Sequence, residues 1–156
     1  MPVSRQLANL HVKFVEDLHD VFVARKYEDL VAGFTAENIS HHLGGTYRPS
    51  YRPLNNGIMD GRLRGVAAVI GCNTPQKVQD QSHWDMVTEL LRNDVLVVQT
   101  GCSQIALAKA GLTTPEAAHL AGPGLKEVCE TVGMPPVLGI GSCVDNSRIL
   151  IACSEM

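Results

Sequence analysis

Residues Pro135 to Ile149 read PPVLGIGSCVDNSRI. An apolar run, Val137 to Ile140, meets Gly141 and then Cys143, and the chain turns at once into helix-compatible sequence, so a thiol stands at a strand-to-helix junction. Two earlier segments repeat the arrangement. Val66 to Ile70 leads into Gly71-Cys72, and Val95 to Val98 leads through Gln99 and Thr100 into Gly101-Cys102. Three strand ends are thus expected to carry one cysteine each.

Between these segments the pattern is regular. Arg64 to Gly71 reads as a strand, Ser82 to Asn93 as a helix with Trp84, Val87, Leu90 and Leu91 on one side, and Asp94 to Thr100 as a second strand. The 30-residue interval from Cys72 to Cys102 is the length of one βαβ unit. Helices are expected from Ser103 to Ala110, from the Thr113-Thr114-Pro115 start signal, and from Gly124 to Val132; the third strand follows, with a final helix from Asp145. Near-continuous apolar strands such as VAAVI and VLVV suit a parallel sheet covered on both faces. The fold class is therefore α/β, a three-layer Rossmann-like parallel sheet with right-handed connections.

Upstream the character changes. Leu7, Leu10, Phe14, Leu18, Val21 and Phe22 recur at steps of three and four, one stripe of a helix over residues 4 to 25. A short helix, TAENISHHLG, is signalled by Thr35 two residues before Glu37 and by Gly44 at its end. Residues 44 to 56, GGTYRPSYRPLNN, are rich in Gly, Pro and Asn and read as a boundary loop, dividing a helical preface (1–56) from the cysteine-bearing domain (57–156) within one body. Adjacent helical residues point about 100° apart, so His41 and His42 cannot converge on one ion and read as structural.

Composition narrows the function classes. At 156 residues, 45% hydrophobic, 19% charged and with a formal net charge of -3, the chain suits one globular domain and carries no basic nucleic-acid footprint. No apolar run approaches the ~20 residues of a membrane span. The start Met1-Pro2-Val3-Ser4 lacks a signal-peptide apolar segment, so a cytoplasmic protein is expected. Five cysteines, an odd number with no CxxC pair, argue for reduced thiols or metal ligands rather than disulfides, a zinc ribbon or a thioredoxin motif.

In open parallel sheets the carboxyl ends of the strands face one crevice where ligands bind, and Cys72, Cys102 and Cys143 are all expected there. A helix N-terminus favours the thiolate, the form that binds soft metals and iron–sulfur clusters. Two readings stand side by side at this level: a shared metal group, or three buried structural thiols in a non-catalytic metal- or partner-binding module. Cys129 falls on an apolar face with Leu125, Val128 and Val132 and reads as core. Cys153, ten residues beyond Cys143, lies about 15 Å along an unbroken helix, too far to share its ligand. Gly122-Pro123-Gly124-Leu125-Lys126 has phosphate-loop composition but not its spacing and reads as a helix start. Asp145 suits the first turn of the last helix, where Arg148 is placed to pair with a carboxylate.

The runs RGVAAVIGCNTP, NDVLVVQTGCSQIALAKAGL, AGPGLKEVCETVGMPPVL and GSCVDNSRI, in that order, resemble the catalytic subunit of anaerobic nickel–iron carbon monoxide dehydrogenase over about residues 57 to 156. The resemblance implies a part of a larger oxidoreductase that converts CO and water to CO2, two protons and two electrons at a Ni-Fe-S cluster. It implies that Cys72 and Cys102 hold iron and that Cys143 lies on the nickel side. The remaining domains, an electron-transfer protein and a homodimeric partner are implied with it. The chain also departs from the family. Gly139 stands where HMGSC has its histidine, removing a group able to hydrogen-bond a ligand or move a proton, and Cys72-Asn73-Thr74 replaces the common GCNN. The family's upstream histidine and cysteines and its downstream lysine have no counterpart here, so the isolated chain is expected not to turn over CO.

Overall fold

The structure, a computed structural model, describes residues 34–45 and 47–156. The helix expected over residues 4 to 25 lies outside the described residues. Helix α1 (Ala36–Gly44) begins as the sequence predicts, with the Thr35 hydroxyl accepting from the Asn38 N–H at 3.2 Å. The Tyr51 hydroxyl donates to the Ala36 carbonyl at 2.5 Å and fixes the following loop to this helix.

Helix α2 (Arg52–Met59) takes up the last five residues of the stretch read as a loop and runs three residues beyond it. Pro53 and Asn55-Asn56-Gly57 look like breakers, yet proline costs no bond in a first turn. Packing supplies the rest. Leu54 is buried, and Gly57 packs against Leu63 and Val128, so tertiary contact overrides weak local propensity.

Three parallel strands follow in the order β1 (Gly65–Ile70), β2 (Val95–Thr100) and β3 (Val137–Gly141). The register pairs Gly65 with Val95 through Ile70 with Thr100, and Val97 with Val137 through Gln99 with Gly139. At the last step Thr100 pairs with Gly141, so Ile140 is an extra residue in β3. Helices α3 (Gln81–Arg92), α4 (Gly101–Lys109), α5 (Pro123–Val132) and α6 (Asn146–Glu155) complete the α/β body.

Two apolar clusters flank the sheet and define three layers. The larger joins Val69, Val97 and Val137 to Val87 and Leu91 of α3, Leu107 of α4, and Leu125 and Cys129 of α5. The smaller joins Val98 and Ile140 to Ile149 and Ala152 of α6 and to Ala36. Coverage is not complete on both faces, as the strand composition had implied. Strand β1 is an edge, and its Ala68 and Ile70 side chains are exposed, whereas β2 is buried from Leu96 onward.

One expected helix is shorter than its start signal implies. Residues Pro115–Leu120 form only a 3-10 turn, because Pro123 opens α5 and holds Gly122 extended, leaving no length for a second α-helical turn. The Gly-Pro-Gly run is a helix start, as read: the Asp94 carboxylate accepts from the Leu125 N–H at 2.8 Å in the first turn of α5.

Candidate metal centre

The three cysteines leave the sheet at its carboxyl edge. Cys72 follows the end of β1 by two residues, Cys102 is the second residue of α4, and Cys143 opens a 3-10 turn, Cys143–Asp145, that runs into α6. Gly101 brings two of them together. Its φ of +67° is one that side chains rarely adopt, and a Cβ on it would lie 2.5 Å from the Cys143 sulfur. Cys143 therefore rests directly on the backbone that introduces Cys102. The Cys72 thiol closes the group: the Cys102 thiol, by hydrogen bonding and by charge, and then the charge of Cys143 push its pKa up from the ordinary thiol range.

The alternative of three buried thiols does not hold, since Cys72 and Cys143 are exposed and Cys102 is half-buried. Cys129 is the buried one. Its thiol lies in the α5 core and burial raises its pKa to about 12. Cys153 sits on α6, which runs unbroken from Asn146 to Glu155. Among the described residues, no three His, Cys, Asp or Glu side chains are arranged to hold a single metal ion. A lone zinc would draw its sulfurs to about 2.3 Å from one point. These thiols follow one another along the carboxyl edge of the sheet instead.

Each thiol is placed by bonds that fall outside the apolar pattern. The Ser103 hydroxyl, in the first turn of α4, reaches the carbonyls of Val69 at 2.9 Å and Thr100 at 2.8 Å, hanging Cys102's turn on two strands. Asp80, at a φ of +66°, receives Asn73 Nδ2 at 2.7 Å and Lys109 Nζ at 3.1 Å, while its own N–H donates to Asn73 Oδ1 at 2.9 Å. This clasp ties the loop after Cys72 to the far end of the helix that carries Cys102. Burial raises the Asp80 carboxyl, but the bonds from Asn73, Lys109 and Gln79 outweigh it and leave the group below its usual range.

Around Cys143 the chain bends through the extra residue of β3. Gly141 takes a φ of +149°, and a Cβ there would lie 2.6 Å from Asp145 Oδ2. Asp145, singled out for the first turn, accepts from the Ser142 N–H at 3.1 Å in a capping box and pairs with Arg148 at 3.7 Å. Thr100 Oγ1 donates to Asn146 Oδ1 at 2.6 Å and links the end of β2 to the start of α6. Gly139 is fully enclosed. Its space is filled by the Gln104 side chain, and its register partner Gln99 is buried with neither amide atom hydrogen-bonded within the protein.

Several of these residues carried no sequence signal. Gln104, the Asn73–Asp80 pair and Gly101's role as a seat for sulfur depend on approaches between separate strands. His83 of α3 lies buried against Gly71, with a glycine Cβ there 3.6 Å from its Cε1. Of the His41–His42 pair, His42 has a structural role, bonding the Val132 carbonyl at 3.0 Å and packing edge-on to Phe34.

A parallel α/β sheet with thiols gathered at its carboxyl edge is the arrangement on which known proteins can be compared. The profile of the Prismane/CO dehydrogenase family matches residues 7–156, and the chain belongs to that family. Its relatives include carbon monoxide dehydrogenase 1 of Methanosarcina acetivorans, 49% identical over 140 residues, which cover 90% of this chain and 22% of that protein. Among solved structures, nickel-free carbon monoxide dehydrogenase from Thermococcus sp. AM4 superposes with a TM-score of 0.72 at 50% identity, covering 78% of this chain and 18% of that one. Carbon monoxide dehydrogenase IV of Carboxydothermus hydrogenoformans gives a TM-score of 0.71 at 47% identity, covering 76% and 20%. The chain thus spans about a fifth of the length of these relatives. No helix among the described residues is long and apolar enough to cross a membrane.

Proposed function

We propose that this chain is the part of a carbon monoxide dehydrogenase catalytic subunit that supplies three thiolate ligands, Cys72, Cys102 and Cys143, to a Ni-Fe-S cluster. The observation that carries the reading is the seat of the Cys143 sulfur over Gly101, at the same carboxyl edge of the sheet where Cys72 follows β1. The donor set fits the group. Soft thiolates are the ligands of iron–sulfur clusters, and Gly101 leaves the room that the Cys143 sulfur takes beside Cys102.

When bound, the cluster would supply the redox chemistry of CO + H2O → CO2 + 2 H+ + 2 e-. The chain's own residues have narrower tasks. Cys102 and Cys143 stand at starts of helical turns, where the chain leaves the sheet. Ser103, Thr100 and Asp145 hold those turns in place, and exposure of Cys72 and Cys143 leaves them open to a group and to the rest of the longer protein. Substrate, electron acceptor and subunit partner belong to the whole protein.

Anaerobic reconstitution with iron, sulfide and nickel tests the assignment. Cys72→Ser, Cys102→Ser and Cys143→Ser are each expected to lower bound iron or nickel and the cluster's visible absorption, while Cys129→Ser leaves both unchanged. Equal metal in all four variants, or zinc alone in the wild-type chain, overturns it.

A further inference from the structure

Gln104 lies two residues after Cys102, and Gly141 two residues before Cys143. The Gln104 side chain crosses from α4 to β3, where its Oε1 accepts from the Gly141 N–H at 3.1 Å. The step from Gly139 to Gly141 is where the β2–β3 register slips, so the sheet ladder is irregular at the N–H that Gln104 engages. The rest of the amide has a fitted place. A Cβ on Gly139 would lie 2.6 Å from Gln104 Nε2, 2.7 Å from Cδ and 3.0 Å from Cγ, so the whole outer side chain occupies the volume that glycine leaves.

We propose that Gln104 is a positioning residue that sets the separation between Cys102 and Cys143, with Gly139 as the recess that admits its amide. A shared length of chain could not do this. Forty residues separate the two thiols, and Gln104 joins their two turns by a single side chain. Gly139 thereby gains a specific role: its missing side chain makes room for a strap between two thiols. The inference rests on the reading that both thiolates serve one bound group, because only then does their separation matter.

The test uses the metal-free chain and a bifunctional thiol reagent, dibromobimane, with Cys102–Cys143 bridging followed by fluorescence and mapped by peptide mass spectrometry. Gln104→Met keeps volume but loses the acceptor, and is expected to slow that bridge about fivefold, the factor one hydrogen bond of ordinary net strength carries. Gln104→Glu retains an acceptor and is expected to bridge like the wild type. Gly139→Ala drives the amide out; it is expected to slow bridging equally and to lower the unfolding midpoint. Adding Gln104→Ala to Gly139→Ala is expected to restore the midpoint but not the bridging rate. Wild-type rates for Gln104→Met, or equal slowing by Met and Glu, overturn the proposal. Should Gln104→Met fail to fold, unchanged bridging in Gly139→Ala overturns it and slowed bridging upholds it. Iron uptake is measured separately: a chain that bridges in a Gln104-dependent way yet binds no iron keeps the strap and rejects the cluster reading.

Discussion

Cys129 and Cys143 are the same residue in two parts of one fold, and nearly everything about them differs. Cys129 is surrounded by the apolar side chains of the sheet and α5, where shape complementarity and the hydrophobic effect decide its position. Cys143 is exposed on a 3-10 turn and is positioned by a glycine, a bulge, a capping box and an amide. A core thiol is held by what touches its side chain. The edge thiol is held by backbone geometry and polar bonds, which leaves its sulfur free to bind something else.

The largest expected effect sharpens the core side of this contrast. Burial holds Cys129 at about 12 against an ordinary value of 9.0, and burial, followed by the charges of Glu37, Glu155 and Cys153, holds Tyr51 at about 12 against 10.0. Between pH 9 and pH 12 the unfolded chain releases protons that the folded chain retains. Folded stability is therefore unaffected by these groups below pH 9 and falls as pH rises toward 12, each contributing a slope of at most about 1.4 kcal/mol per pH unit. Urea midpoints measured across that range should fall, and Cys129→Ala should flatten the decline. An unchanged slope would mean that the thiol is not shielded in solution.

The edge side is broken by one methyl group. Gly101→Ala places a Cβ against the Cys143 sulfur in a backbone conformation that disfavours side chains, and is expected to cost about 2 kcal/mol. Urea unfolding reads the cost. Displacement of Cys143 should also abolish most metal uptake on reconstitution, whereas a glycine-to-alanine change at Gly61, where φ is +74° and nothing lies within 4 Å, should strain the backbone without touching uptake. Loss of uptake in both variants would assign the effect to strain alone.

The same division explains how much the sequence could disclose. Strand positions follow from apolar runs, and each observed strand falls within a residue or so of its expected place because burial is written as composition. The gathering of Cys72, Cys102 and Cys143 at one edge follows from parallel topology. The bulge at Ile140 does not, since that residue is apolar and buried like the strand residues before it. Gln104 and Asp80 are likewise ordinary polar residues until separate elements are brought side by side. Helix α2 was missed for the opposite reason: its local sequence argues against a helix, and contacts from Leu63 and Val128 decide.

The smallest expected effect tests whether an edge thiol can be perturbed with little change in stability. Lys109 is largely exposed and pairs with Asp80 at 3.1 Å, so Lys109→Met removes one arm of the clasp at a cost of about 0.5 kcal/mol or less. Asn73 still bonds Asp80 at 2.7 Å, and the loop should remain folded. Its tether to the C-terminal end of α4 would be gone, however, leaving the Ser103 bond to the Val69 carbonyl as the link from α4 to the strand that leads to Cys72. Alkylation of Cys72, read by mass spectrometry of the labelled peptide, is expected to quicken about twofold while Cys143 is unchanged, the ratio corresponding to a few tenths of a kcal/mol. The pairing also depends on the Asp80 charge. Its carboxyl is held below the usual range, so the clasp is complete above the ordinary carboxylate pKa and is lost as pH falls through the lowered one. Asp80→Asn should therefore reproduce the Lys109→Met labelling at neutral pH, and a Cys72 rate indifferent to both would show that the loop is held by Asn73 and its own backbone.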